Sequence, residues 1–179
     1  MLSVIQQRNI PEAIRSLSGM DRPDYIDVFT VTTNGAADAT PEQWFRTALE
    51  DVAGRGGQFI WRGVLGLRLK SRPSTERIGG WRIADRGEGW IRLEASSWFL
   101  TAHLVTRLDD GQLFAGTFIR YDHPIAPRIW LPVSAVHRRL MPGLLVKTVR
   151  LRAVIQMVPY RGTATRSRVR TDVTSPDYA

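Results

Sequence analysis

Residues 99–121 read FLTAHLVTRLDDGQLFAGTFIRY, and the face on which this stretch buries its apolar side chains decides the fold. Asp110-Gly111 near its centre is the dipeptide of a tight hairpin turn, because a type I′ turn needs positive φ at both central positions. A turn there sets Asp109 opposite Gln112 and fixes every pair above it. One face then holds Leu108/Leu113, Thr106/Ala115, Leu104/Thr117, Ala102/Ile119 and Leu100/Tyr121. The other holds Arg107/Phe114, Val105/Gly116, His103/Phe118 and Thr101/Arg120. Strand side chains alternate between faces, so a slip of one residue would exchange the two sets. The first set is apolar and is assigned to the inside, which leads us to expect Leu100, Leu104 and Ile119 to be buried. His103 then points away from the core, as a half-exposed sheet residue rather than a catalytic base in a pocket.

The preceding segment WRIADRGEGWIRLEA, residues 81–95, reads as a second hairpin. A loop of Gly87, Glu88 and Gly89 pairs Ile83 with Leu93 and Trp81 with Ala95, and sets Arg82 against Glu94 as an oppositely charged cross-strand pair. Trp81, Ile83, Ile91 and Leu93 extend the inner apolar face. Residue size is informative as well. Ala102, Thr106, Ala115 and Thr117 are small where a helix-covered sheet commonly carries Leu or Phe. Two arrangements account for this: a helix packed close on the sheet, or a helix held off it by larger residues at each end, leaving a cavity.

Around these hairpins the chain divides into an extension (1–23), a domain (24–157) and a polar, basic tail (158–179) without periodicity, expected to be disordered. YIDVFTVTT (25–33) alternates as a strand. TPEQWFRTALEDVAG (40–54) carries helix start signals that agree: Thr40 as N-cap, Pro41 in the first turn and Gln43 completing a capping box, with Gly54 as the stop. GQFIWRGVLGLRLK (57–70) reads as a second helix and SRPSTERIGG (71–80) as loop. After the break DHPIAPR, residues 130–157 repeat apolar side chains at helical spacing, through Val133, Val136, Leu140, Leu144, Leu151 and Ile155. Pro142 is expected to kink or split this long helix. The convincing strands number five, with room for an edge strand in 71–80.

Composition narrows the function classes. The 179 residues contain no cysteine, which removes disulfides, thiolate nucleophiles and cysteine-ligated zinc together. Of 25 basic residues only Lys70 and Lys147 are lysine; the rest are arginines scattered through every segment. The net charge of +8 therefore has no stripe to mark a nucleic-acid footprint, and nucleic acid is not the expected partner. No apolar run reaches the ~18 residues of a membrane span, and MLSVIQQRNIPEAIRS lacks the order of a signal peptide, so a cytoplasmic protein is expected. His103, His123 and His137 lie too far apart in sequence to suggest a metal site, and no phosphate-binding loop, dinucleotide fingerprint or nucleophile elbow occurs, so no metal and no cofactor is expected. Asp122-His123-Pro124 reads as a turn. His137 follows Val136 at the border of the apolar stripe, where it can meet the polar end of a ligand or cap the backbone.

Three stretches carry a resemblance: YIDVFTV…TPEQWF at the start, GWRI…SSWFLTAHLV…GTFIRYDHP in the centre, and WLPVSAVHRRLMPGLL in the helix. Over about residues 25–155 the chain resembles the START-like (SRPBCC) superfamily of lipid-transfer proteins, hydrophobic-ligand carriers and polyketide cyclases, in an uncharacterised bacterial branch. The resemblance implies an α+β helix-grip fold, in which a curved antiparallel sheet wraps around a long C-terminal helix. It also implies binding of a hydrophobic small molecule, a lipid or polyketide-like compound, between sheet and helix. The binding residues expected from the register and the helix stripe are Trp81, Leu100, Ala102, Leu104, Ala115, Thr117, Tyr121, Val136, His137, Leu140 and Leu144; no catalytic residue is assigned. A cyclase or dehydratase using Tyr121 and His137 is the enzyme alternative, although the central strands offer no inner carboxylate beyond Asp85 near a hairpin end. An interaction module that meets its partner through a tryptophan-rich outer sheet face is the third reading, and a homodimer is left open.

Overall fold

The computed structural model describes residues 2–33, 39–71 and 74–157. The expected disorder of the tail falls outside them. The fold is α+β: a curved antiparallel sheet with short helices early and one long helix at the end, in the helix-grip arrangement. In chain order the elements begin with β1 (Val4–Gln6), α1 (Glu12–Arg15, running into a 3₁₀ turn Ser16–Ser18) and β2 (Tyr25–Thr32). Next come α2 (Pro41–Arg46, continued as π-helix Thr47–Val52) and α3 (Gly54–Gln58, continued as π-helix Phe59–Val64). The remainder is β3 (Arg77–Ile78), β4 (Trp81–Gly87), β5 (Trp90–Ser96), β6 (Leu100–Asp109), β7 (Gln112–Tyr121) and α4 (Ala126–Met157). Seven strands form one sheet in the order β1-β2-β7-β6-β5-β4-β3. The two strands beyond the five expected are the short edges: β3 inside 71–80, and β1 inside the stretch set apart as an extension. Among the described residues no helix is long and apolar enough to cross a membrane.

The central register is the one the Asp-Gly turn dictates. Leu100 pairs with Tyr121 and Asp109 with Gln112, and Asp110 and Gly111 take φ of 44° and 72°. The β4–β5 hairpin differs in detail. Its loop is Glu88-Gly89 alone, with Gly87 pairing Trp90, and a bulge between Ile83 and Asp85 restores Arg82 opposite Glu94 and Ile83 opposite Leu93. A bulge inserts one residue into one strand, so it cancels a loop one residue shorter than expected.

The capping box of α2 forms in full. The Thr40 hydroxyl accepts from the Gln43 N–H at 3.3 Å, and Gln43 Oε1 accepts from the Thr40 N–H at 3.1 Å. The second helix does not reach Lys70. It ends at Val64, and the non-helical segment after it buries Leu65, Leu67 and Leu69 in turn, with the Arg68 N–H donating to Ser96 O at 2.9 Å. The period here is two, which a helical reading of 57–70 had absorbed. α4 runs through Pro132 and Pro142 as one helix. The carbonyl that Pro142 deprives of a donor belongs to exposed Arg138, where water can serve it, so the helix is not split.

The buried face of α4 is also not the apolar stripe. It runs through Trp130, Ser134, Leu145, Thr148 and Val149, whereas Val136 and Leu140 are 50% and 55% exposed. Ser134 and Thr148 donate to their own helix, to Leu131 O and Leu144 O, each at 2.8 Å. A hydroxyl satisfied within its own helix can be buried without an outside partner, so hydropathy alone misplaces the face.

The outer face of the sheet is covered around Val28, Val105 and Phe118. Ile14 of α1 and Met20 pack on Val28, Val105 and Phe118. Gly116 permits the close approach: a Cβ there would stand 2.9 Å from the Phe118 ring and 3.6 Å from Ile14. His103 does lie on this outer face, but it is buried, and its Nδ1 hydrogen-bonds Ser18 O at 2.6 Å. On the inner face Leu100 and Ile119 are buried as expected. Leu104 is only partly so, and the reason is the cavity it lines.

Candidate functional site: a cavity between sheet and helices

The inner apolar residues form two clusters instead of one. At one end Trp81, Leu93, Leu100, Ala102 and Ile119 pack with Ala126 and Trp130 at the start of α4. At the other, Phe29, Val31 and Leu113 pack with Trp44 of α2 and with Leu145 and Val149 further along α4. Large side chains at both ends prop the helices, and the small side chains between them leave a cavity of about 430 Å³. Its floor is Ala102, Leu104, Ala115 and Thr117, with Trp81 at one end. One wall is α4, through Val136, His137, Leu140 and Leu144. The facing wall is α2 and α3 with their π-helical continuations, including Trp44, Leu49, Trp61 and the bare backbone of Gly56 and Gly57. The exposure of Val136 and Leu140, both wall residues, marks where the cavity meets solvent beside α4.

Leu100 and Tyr121 do not line it. They are paired across β6 and β7 at the end of the hairpin, where the first turns of α4 lie directly on the sheet and Leu100 is sealed completely. Tyr121 packs at the margin of that cluster, and burial, with the Asp24 carboxylate beside it, pushes its phenol above its ordinary range.

The polar groups of the site centre on His137. Its Nε2 lies 3.3 Å from Asp27 Oδ2 and 3.2 Å from Thr117 Oγ1. Asp27 is 3% exposed and stands directly across from Thr117 in the β2–β7 ladder. The Tyr25 hydroxyl donates to the same Asp27 oxygen at 2.6 Å, and Arg138 donates to the Tyr25 oxygen at 3.1 Å. Burial, reinforced by the Asp27 charge and hydrogen bond, pushes the Tyr25 phenol far above its usual range, so it stays protonated and remains a donor. Asp27 Oδ1 is buried without a partner, and so are the indole N–H groups of three wall residues, Trp44, Trp81 and Trp130.

Asp27 supplies an inner carboxylate from β2, outside the central strands to which the expectation applied; Asp85 sits exposed at the bulge, facing Arg92. In YIDVFTV both alternating sets are largely apolar, Tyr25/Asp27/Phe29/Val31 and Ile26/Val28/Thr30, so the pattern alone does not choose the inner one. The pairing of β2 with β7 does. The other two histidines, His103 and His123, lie outside the cavity lining. His123 Nδ1 accepts the Ile125 N–H at 3.2 Å, closing the turn that opens α4. Among the described residues no three His, Cys, Asp or Glu side chains gather as a metal site would require.

No family model and no curated protein matches the chain. One solved structure that it resembles is an uncharacterized protein from Rhizobium leguminosarum, at 10% identity and a TM-score of 0.30 over 87% of this chain and 99% of that one. A similarity that low carries no argument.

Proposed function

We propose that the protein binds a hydrophobic small molecule, a lipid fragment or polyketide-like compound, in the cavity between the sheet and α4. The observation that carries this reading is the cavity, at about 430 Å³ and walled mainly by apolar and aromatic side chains. Small-molecule sites span ~300–1,000 Å³ with a few convergent polar groups, and His137 and Thr117 fill that role. The resemblance of the sequence to the START-like superfamily points the same way and belongs to the proposal. Catalysis is less well supported. An acid–base pair would need two groups reaching the ligand, yet Tyr121 lies outside the cavity and Asp27 stands behind His137. The interaction-module reading is also less well supported, because α1 and its 3₁₀ turn cover the part of the outer sheet face around Val28, Val105 and Phe118.

The test pairs native mass spectrometry of the purified protein with titration of the fluorescent apolar probe N-phenylnaphthylamine. A co-purifying apolar mass, or saturable probe binding that Ala115→Phe abolishes, is the expected result. Probe binding that survives Ala115→Phe unchanged would place the ligand elsewhere and overturn the reading.

A further inference from the structure

Resting on that reading, we infer that the ligand carries a hydroxyl group, and that His137 Nδ1 accepts its hydrogen bond. The inference comes from how the imidazole is held. Both contacts of the ring go to Nε2, from Asp27 Oδ2 and Thr117 Oγ1. A carboxylate offers only acceptors, so Nε2 carries the hydrogen and donates to Asp27. In a neutral imidazole the hydrogen bond at one nitrogen decides the role of the other, and Nδ1 is then a lone-pair acceptor. Nδ1 makes no hydrogen bond among the described residues, nor is it one of the buried polar atoms left without a partner. It is therefore an accessible, unused acceptor on a residue of the cavity wall.

The second observation is Asp27. Burying a carboxylate with one oxygen unpartnered is costly. Tyr25, always a donor, fixes Oδ2, and Arg138 fixes Tyr25, so three residues outside the cavity serve to orient one ring that faces it. Asp27 is a positioning residue in this scheme. The ligand class is an apolar body bearing an alcohol or phenol, as opposed to a hydrocarbon or a fatty acid held by its carboxylate.

The experiment compares naphthol with methylnaphthalene, in which a methyl replaces the hydroxyl at nearly constant size, and adds methoxynaphthalene, which can only accept. Affinities are measured by equilibrium dialysis against wild type, His137→Leu and Asp27→Asn. A hydroxyl paired with an acceptor should favour naphthol over methylnaphthalene by roughly three- to tenfold in wild type. Both variants should lose that preference, read as the naphthol-to-methylnaphthalene ratio within each variant, and a cooperative thermal melt verifies that each has kept its fold. If a variant does not fold, the wild-type ratio decides alone. Naphthol binding no better than methylnaphthalene, or a preference for methoxynaphthalene, overturns the inference and leaves the cavity reading standing. A naphthol preference that both variants retain overturns it too, since the hydroxyl is then read elsewhere. If none of the three compounds binds, the inference and the cavity reading fall together.

Discussion

The two faces of β6 and β7 share one backbone, yet one face is filled and the other is hollow. On the outer face Phe118, Val105 and Val28 meet Ile14 and Met20 without a gap, and Gly116 lets the N-terminal helix come close. On the inner face Ala102, Ala115 and Thr117 stop short of helices that are propped apart by Trp81 and Trp130 at one end and Phe29 and Leu145 at the other. The difference does not follow length: the outer cover is a four-residue helix and a turn, the inner one a helix of 32 residues. What decides is where large side chains sit. Small residues beneath a short mobile-sized element allow contact, whereas small residues beneath a long propped helix produce space.

Truncations to alanine on the two faces should have the largest effects. Phe118→Ala on the filled face should cost ~3–5 kcal/mol in urea unfolding, because it opens a hole where none existed. Leu104→Ala on the hollow face should cost about 2 kcal/mol, at the low end for its type, because part of its surface already borders the cavity. Equal losses would mean that the inner face closes in solution. A smaller effect comes from adding volume. Ala115→Phe should change stability by less than about 1 kcal/mol, against the ~1–3 typical of an overpacked core. A larger loss would show that the cavity does not accept a side chain.

The smallest effect concerns the histidines, which the two faces treat differently. Burial on the outer face pushes His103 below its ordinary value of 6.5, the Ser18 carbonyl opposes this, and Arg92, Arg120 and Arg82 push it further down. Glu94 also faces the ring, 3.7 Å from Nε2. The folded protein then binds fewer protons than the unfolded chain below pH 6.5, so stability rises with pH there. The contribution is complete above the unfolded value and is lost as pH falls through the folded one. Thermal melts of wild type should therefore decline on acidification from about pH 6.5. His103→Gln should flatten that part of the curve, and a wild-type melt that is pH-independent across the window would refute the assignment.

Much of this was legible from residues 99–121. A two-residue turn with a strict side-chain period leaves one register, and the register names the cavity floor. The rest was hidden for physical reasons. The face of β2 carrying Asp27 is decided by a partner strand ninety positions away, at Thr117. The buried face of α4 contains hydroxyls that are satisfied locally, which a hydropathy stripe cannot register. The first 23 residues show a short amphipathic stretch, but not where it packs, since a single turn is stable only through what it packs on.

The edge strands have a consequence for how copies of this chain can meet. β1 is three residues long and β3 two, so the outermost strands offer only short ladders, and the edge of β4 beyond them is broken by its bulge at Ile83–Asp85. A long free edge invites another chain to add a strand, and a truncated one refuses it. Strand addition onto β1 or β3, whether ordered or amyloid-like, is thereby disfavoured.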